Sequence, residues 1–192
     1  MEGRDLHKEI LDTARRLFIA QGYRGLSMRE IALALDVSKP ALYYHFKDKE
    51  ELFLAILMEY LGELEELLNG IVVNGRTCRE QIWEFVSTIL RQPCEKRALI
   101  RLGSNEVTHL SEPARQSFSK AYQEQFIAKL QDILRRGMES GELRSMDVSM
   151  AAWALLGIVY PYLYPTESSG ELLMEDVIDT LISVYFDGMT RR

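Results

Sequence analysis

The sequence predicts an all-α fold in which a small three-helix head precedes a larger helical body, with about nine helices in total. Apolar residues recur at helical spacing in nearly every segment, and no run alternates convincingly as a β-strand. Capping motifs of the form S/T-x-x-E stand before three of the apolar runs. With 192 residues, 47% of them hydrophobic, the chain can hold a small domain fused to a larger one. We expect a head over residues 1–47 and a body over residues 48–192.

Charge is distributed unevenly along the chain. The formal net charge is −6, which argues against a protein coated in nucleic acid. Residues 1–50 nevertheless carry nine basic and eight acidic residues, so the acidic excess lies in the remainder. This distribution favours local DNA contact through the head, on a body that repels phosphate.

Cysteine usage and the start of the chain indicate a cytoplasmic protein. Cys78 and Cys94 lie in no metal-ligand pattern. We expect both as reduced thiols, and the alternative is a disulfide between them. The first residues are charged and lack the apolar core of a signal peptide. The uncharged stretch 148–166 contains two prolines and lacks the roughly 20 strongly apolar residues of a membrane span.

Three helices are predicted in the head. The first covers residues 4–21 and ends at Gly22. The second opens with SMRE at residues 27–30, a capping box in which the serine and glutamate side chains each bond a free backbone N–H. A three-residue turn, 36–38, leads into the third helix. Two short helices joined by such a turn form a helix-turn-helix, whose second helix enters the major groove of DNA.

The third helix lies within residues 36–49, DVSKPALYYHFKDK, and carries the main prediction of function. Ser38 is the expected N-cap, and Pro40 is tolerated in the first turn. Leu42 and Phe46 share one face and are expected in the core. The outward arc then presents two tyrosines, a histidine and a lysine, whose donors suit phosphate oxygens. This arrangement predicts a DNA-contacting helix.

Six further helices are predicted in the body, with a connector at residues 103–110. The fifth opens with the capping box TCRE at residues 77–80, and the ninth opens with SSGE at residues 168–171. In chain order we expect helices at 48–69, 77–92, 94–103, 111–139, 147–164 and 168–188.

The last two helices are expected to form a dimer interface. The eighth is apolar on all sides, and the ninth carries two apolar stripes. The stripes are Leu173, Val177, Leu181 and Val184, and Ile178, Ile182 and Tyr185. One side can face the protein's own core, and a second copy of the chain most simply covers the other. We therefore predict a homodimer.

The head residues form a family pattern in their order, spacing and type. They are residues 10–11, 14, 17–18, 22–23, 26–32, 37–47, 49–50 and 52. This pattern resembles the tetracycline-repressor (TetR) family of bacterial transcription regulators. The resemblance implies a homodimer that presents two recognition helices to a pseudo-palindromic double-stranded DNA operator. One departure is Asp36, which stands where the family usually has glycine in the turn.

The resemblance also implies the DNA contacts. Phosphate contacts are expected from Ser27, Tyr43, His45 and Lys47. Base contacts are expected from Arg29, Lys39, Pro40, Ala41 and Tyr44, and Ser38 completes the predicted DNA-binding set. The two tyrosines are also compatible with packing against neighbouring helices. Lys47 and Lys49 are also compatible with exposed charge pairs at the start of the fourth helix, which stabilise little.

The body is expected to bind a small apolar or aromatic effector, since pockets for such molecules are mostly apolar with a few polar anchors. The candidate residues are Trp83, His109, Phe118, Tyr122, Phe126, Trp153 and Tyr160. An alternative interpretation is that each of the aromatic residues is an ordinary core residue and that His109 is a hydrogen-bonded structural histidine.

These features predict that the protein is a ligand-responsive transcription regulator, which in this family is usually a repressor. We expect neither a cofactor nor a metal. One alternative is a DNA-binding regulator that is controlled by a protein partner or has no effector. A more remote alternative is an all-helical enzyme, but the sequence contains no GxSxG, no Gly-rich phosphate loop and no HExxH.

Overall fold

The computed structural model describes residues 6–72, 76–164 and 174–188, and all regular secondary structure in these ranges is helical. In chain order the α-helices are α1 (Leu6–Gly25), α2 (Met28–Ala34), α3 (Lys39–His45), α4 (Lys49–Ile71), α5 (Cys78–Leu90), α6 (Cys94–Glu106), α7 (Glu112–Tyr122), α8 (Ala128–Glu139), α9 (Val148–Val159) and α10 (Met174–Asp187). Short 3-10 turns cover Val107–His109 and Tyr160–Leu163, and a π-helical turn, Gln123–Ile127, joins α7 to α8. The predicted all-α fold is confirmed.

Several predicted helix boundaries agree with the structure. The backbone of α1 breaks at Gly22, where φ is 73°. Thr77 and Glu80 form the second capping box, in which the Thr77 N–H donates to Glu80 Oε2 at 2.8 Å and the Glu80 N–H donates to Thr77 Oγ1 at 3.2 Å. α8 ends before Gly141, whose φ is 81°. The capping box at residues 168–171 and the start of the first helix at residues 4–5 lie outside the described residues.

Two predicted boundaries are wrong. α6 continues through the connector expected at residues 103–110 and ends at Glu106, where a 3-10 turn follows. Gly103 does not stop this helix; it lets α6 lie close to α4, since a Cβ at this position would stand 3.5 Å from Leu57. α4 likewise passes through Gly70 and ends at Ile71. A glycine inside a helix costs only about 1 kcal/mol relative to alanine, which packing can offset.

The described residues form two compact units. One unit contains the residues up to Tyr60 together with Ala98–Ala121. The other contains Leu61–Arg97 and the described residues from Tyr122 onward. The first unit therefore includes the predicted helix-turn-helix, and the second includes α5, α8, α9 and α10. Among the described residues, no helix combines the length and the apolar character that a membrane span requires.

Aromatic and aliphatic side chains fill the core of the first unit. Phe18 of α1 and Phe53 of α4 are fully buried and pack edge to face, with ring centroids 4.9 Å apart. Leu42 and Phe46 are 0% and 4% exposed, which confirms their predicted place in the core. Burying side chains of this size stabilises a fold by about 1.5–3 kcal/mol each.

The second unit packs its helices closely. A Cβ at position 137 of α8 would lie 2.7 Å from Sγ of Cys78, so only glycine fits against α5 at this point. Burial raises the pKa of the Cys78 thiol to about 12, which keeps the thiol protonated and unreactive. Cys94 is exposed and both cysteines are free. From α10, the Tyr185 hydroxyl donates to the carbonyl oxygen of Ala151 at 2.9 Å.

The turn between α2 and α3 requires one residue in the left-handed conformation. Asp36 has a φ of 54°. The Asp36 N–H donates to Leu33 O at 3.2 Å, and the Val37 N–H donates to Ala32 O at 3.1 Å. This pair of bonds is the Schellman motif that closes many helices, in which the left-handed residue is usually glycine. Aspartate adopts this conformation more readily than most residues.

Replacing Asp36 tests the strain in this turn. Asp36→Gly should raise the free energy of unfolding by up to about 1 kcal/mol, because glycine adopts a positive φ without steric cost. Asp36→Val should lower it by about 1–2 kcal/mol, because a β-branched residue is disfavoured there. Urea denaturation followed by circular dichroism measures both. Equal stability of the valine and glycine variants would contradict the left-handed conformation of residue 36.

Candidate nucleic-acid interface

α3 has one buried face and one exposed face. Tyr44 is 86% exposed and Tyr43 is 47% exposed, whereas Leu42 and Phe46 are buried. The helix begins at its expected cap, since Ser38 Oγ accepts a hydrogen bond from the Ala41 N–H at 3.3 Å. The two buried side chains therefore decide which side of this short helix faces outward.

All ten predicted DNA-binding residues have surface that solvent can reach. The exposed ones are Ser27, Arg29, Ser38, Lys39, Pro40, Tyr43, Tyr44 and Lys47, and the half-buried ones are Ala41 and His45. They come from the start of α2, from α3 and from the turn that follows α3. Their contact with DNA stays a prediction.

His7 of α1 lies next to α3, a position that the sequence did not reveal. Its ring stacks on Phe46 at a centroid distance of 4.9 Å and stands 5.7 Å from the ring of His45. Tyr44 packs edge to face against His45 at 5.5 Å. These aromatic contacts orient the His45 imidazole at the C-terminal end of α3.

The capping box of α2 uses the polar groups of Ser27. The Ser27 N–H donates to Glu30 Oε2 at 2.8 Å, and the Ser27 hydroxyl lies 2.5 Å from the same oxygen. The hydrogen bonds from the Ser27 hydroxyl and N–H lower the pKa of the Glu30 carboxyl, burial opposes them, and the charges of Lys49 and Arg29 lower it further. A phosphate that takes a hydrogen bond from Ser27 would have to replace Glu30 as its acceptor.

Lys49, in the first turn of α4, binds the α1–α2 loop, the name used for residues 23–26 because the backbone of α1 breaks at Gly22. Its Nζ donates to the carbonyl oxygens of Tyr23 and Leu26, each at 2.7 Å, and lies 4.4 Å from the centroid of the Tyr23 ring. Burial lowers the pKa of the Lys49 ammonium, and the charge of Glu30 opposes this shift. Lys49 therefore binds backbone carbonyl groups and does not form the exposed charge pair that the sequence also allowed.

A residue of α6 also binds the α1–α2 loop. Glu106 Oε2 accepts a hydrogen bond from the Tyr23 N–H at 3.2 Å, and a Cβ at Gly22 would stand 3.3 Å from Glu106 Oε1. Near the start of α4, Glu50 accepts hydrogen bonds from the backbone N–H and the hydroxyl of Ser111 at 2.6 and 2.7 Å. No sequence signal indicates these pairs, since carboxylates have no periodicity that points to a distant partner.

The structure brings together only part of the predicted effector-binding set. Tyr122 and Phe126 lie with ring centroids 5.2 Å apart, and Phe85, which was not predicted, lies 5.9 Å from Phe126. Burial raises the pKa of the Tyr122 hydroxyl to about 12, so this group is neutral. His109 and Phe118 belong to the first compact unit.

Three other predicted effector residues lie toward the surface of the second unit. Trp83 is half-buried and its Nε1–H donates to Asp179 Oδ1 at 2.6 Å. Tyr160 is half-buried, with its hydroxyl oxygen 3.5 Å from that of Tyr164. Trp153 is 52% exposed, and its place in an effector pocket stays a prediction. A sequence pattern of aromatic residues at helical spacing does not show whether they face the protein's own core or a surface that another molecule covers.

Replacing Lys49 tests its structural role. Lys49→Met should lower the free energy of unfolding by about 1–3 kcal/mol, because it leaves the carbonyl groups of Tyr23 and Leu26 without their charged donor. Lys47→Met is the matched control: it removes the same charge from an exposed side chain and should change stability by less than about 0.5 kcal/mol. Urea denaturation compares the two variants. An equal loss in both would show that Lys49 acts only as a surface charge.

Comparison with known proteins matches both parts of the chain. The family described as "Bacterial regulatory proteins, tetR family" matches residues 10–56. The family described as "Tetracyclin repressor-like, C-terminal domain" matches residues 75–189. The chain is also 26% identical over 182 residues to the HTH-type transcriptional repressor KstR2 of Rhodococcus jostii (strain RHA1), which covers 94% of this chain and 89% of that relative.

Solved structures agree with this match. The TetR family transcriptional regulator PfmR from Thermus thermophilus has a TM-score of 0.78 and 27% identity, over 95% of this chain and 99% of that one. A TetR-family bacterial regulatory protein from Rhodococcus RHA1 has a TM-score of 0.84 and 20% identity, over 98% of this chain and 99% of that one, and supports the fold alone. The family is one of transcription regulators that bind operator DNA and act as dimers, not of enzymes. The chain therefore belongs to the TetR family and is a DNA-binding transcription regulator.

Proposed function

We propose that the protein is a cytoplasmic, ligand-responsive repressor, which leaves its operator when a small apolar or aromatic effector binds the body. In this proposal residues 1–47 bind DNA, and residues 48–192 bind the effector and dimerise. The main observation in support of this proposal is that α3 has two different sides: Leu42 is buried, whereas Tyr43 and Tyr44 are exposed. The repressor named above, which aligns with nearly the whole chain, supports repression over activation.

The outward side of α3 has the chemistry that DNA recognition needs. Tyr44 is almost fully exposed, and the side chains of Lys39 and Lys47 make no ion pair with any described residue. Phenolic hydroxyl and ammonium groups donate to phosphate oxygens, and such contacts fix the register of a protein on the duplex. Pro40 and Ala41 keep the start of the helix small, so that the backbone can approach the bases.

The last two helices carry an apolar face that suits a second copy of the chain. On α9, exposed residues recur at the helical positions Met150, Trp153, Ala154 and Gly157. On α10, Val184 is 65% exposed. Exposed apolar residues on two helices that pack together indicate an interface, and a two-fold axis lets one patch cover its own copy. We propose that this face forms the homodimer.

An effector site beside Tyr122 and Phe126 would use the aromatic cluster of the second unit. The cluster sits where the π-helical turn Gln123–Ile127 interrupts the long α7–α8 helix. Such single turns occur frequently at functional sites. A ligand that binds there changes DNA affinity only to the extent that it prefers one arrangement of the dimer over the other.

Removing donors from α3 and from the turn that follows it tests DNA binding. The double variant Tyr44→Ala/Lys47→Ala should weaken binding to a duplex from upstream of the protein's own gene by at least about tenfold, because it removes two candidate contacts. Its thermal stability should be unchanged, since both side chains are exposed. Arg144→Ala, an exposed cation of the body, is the control. Electrophoretic mobility shift measures the affinities, and an unchanged affinity in the double variant would refute the role of α3.

Ligand binding distinguishes the proposed repressor from a regulator without an effector. A panel of apolar and aromatic compounds should contain members that raise the melting temperature of the full chain with rising concentration. The same compounds should lower its affinity for the operator duplex by the reciprocal coupling factor. The Tyr44→Ala/Lys47→Ala variant should keep the thermal shift. Stabilising compounds that never change DNA affinity would favour the regulator without an effector.

A further inference from the structure

A cleft of about 560 Å³ opens on the first unit, beside the predicted DNA-binding surface. Its lining comes from the α1–α2 loop, the start of α2, the start of α3 and the start of α4. The residues are Arg24, Gly25, Leu26, Ser27, Met28, Arg29, Glu30, Lys39, Tyr43, Asp48 and Lys49. Four of these residues belong to the predicted DNA-binding set, and Arg24 does not.

The lining carries more positive than negative charge. Four basic residues face two acidic ones, and both acidic residues are already engaged. Glu30 accepts the hydrogen bonds of Ser27, and Asp48 Oδ1 accepts one from the N–H of Glu51 at 2.8 Å. Lys49 is held by backbone carbonyl groups. The remaining cations, Arg24, Arg29 and Lys39, make no hydrogen bond or ion pair through their side chains to any described residue.

The backbone around Arg24 is fixed although its side chain is exposed. Tyr23, the preceding residue, is held through its N–H by Glu106 and through its carbonyl oxygen by Lys49. The carbonyl oxygen of Leu26, two residues later, accepts a hydrogen bond from Lys49 as well. A guanidinium on an ordered loop loses less freedom when it binds an anion than one on a mobile loop.

We propose that this cleft seats a phosphate of the DNA backbone and that Arg24 contributes an ionic contact in addition to those expected from α2 and α3. The proposal rests on the DNA-binding function. Arginine presents two parallel N–H donors that match the oxygens of a phosphate, and the exposed Tyr43 and Lys39 line the same cleft. The contact is independent of base sequence and widens the footprint of each head on the duplex.

The salt dependence of DNA binding tests the role of Arg24. Each phosphate that a protein neutralises adds about 0.9 to the slope of log Kd against log salt. Because a homodimer carries two copies of Arg24, Arg24→Gln should lower the slope by about 1.8 and weaken binding to unrelated duplex sequences by similar factors. Fluorescence anisotropy of the full chain with a random-sequence duplex and with the duplex from its own promoter, each over a range of KCl concentrations, gives the slopes.

Arg16→Gln is the matched control. Arg16 is an exposed residue of α1 whose side chain donates to Thr13, and its replacement changes the net charge by the same amount. It should leave the slope unchanged. A slope for Arg24→Gln equal to that of Arg16→Gln, with DNA binding by the wild type intact, would overturn the proposal and leave the DNA-binding function standing. Failure of the wild type to bind any duplex would instead refute the DNA-binding function itself.

A second measurement separates DNA phosphate from free phosphate. Inorganic phosphate alone, at millimolar concentration, should not raise the melting temperature of the full chain, because the proposed contact needs the rest of the duplex to hold the phosphate in place. A thermal shift that Arg24→Gln abolishes, together with an unchanged salt slope on DNA, would assign the cleft to a free anion and overturn the proposal.

Discussion

The burial of Leu42 and Phe46 is the constraint on which the DNA-binding head depends. α3 has only seven residues, and isolated helices of this length are not stable in water. It forms because Ser38 caps its start and two side chains anchor its inner face. The same anchoring turns Tyr44 toward solvent. Helix stability and the direction of the outward side chains therefore have one cause.

A second constraint joins this head to the helices that follow it. Lys49 and Glu106 both bind the α1–α2 loop, and Glu50 binds Ser111 at the start of α7. The loop leads directly to Ser27, the cap of α2. These hydrogen bonds fix the position of the residues that precede α2 relative to the first turn of α4 and the end of α6.

Local features of the fold were predictable from the sequence, and distant pairs were not. The capping boxes at Ser27 and Thr77 and the buried Leu42 follow from interactions within a few residues. Glu106 and Tyr23 are 83 residues apart in the chain, and no periodic signal connects them. Gly103 wrongly indicates a helix end, because a glycine at a close packing contact looks the same in sequence. What surrounds the candidate effector residues could not be predicted, since periodicity marks a residue as apolar without revealing what covers it.

The central claim is that two copies of the chain hold two α3 helices at a separation matched to the pitch of DNA. Hydroxyl-radical footprinting of the full chain on the promoter region of its own gene tests it most directly. Two protected patches on one face of the duplex, about one helical turn or a multiple of it apart, are the expected result. A single protected patch, or protection without helical periodicity, would contradict it.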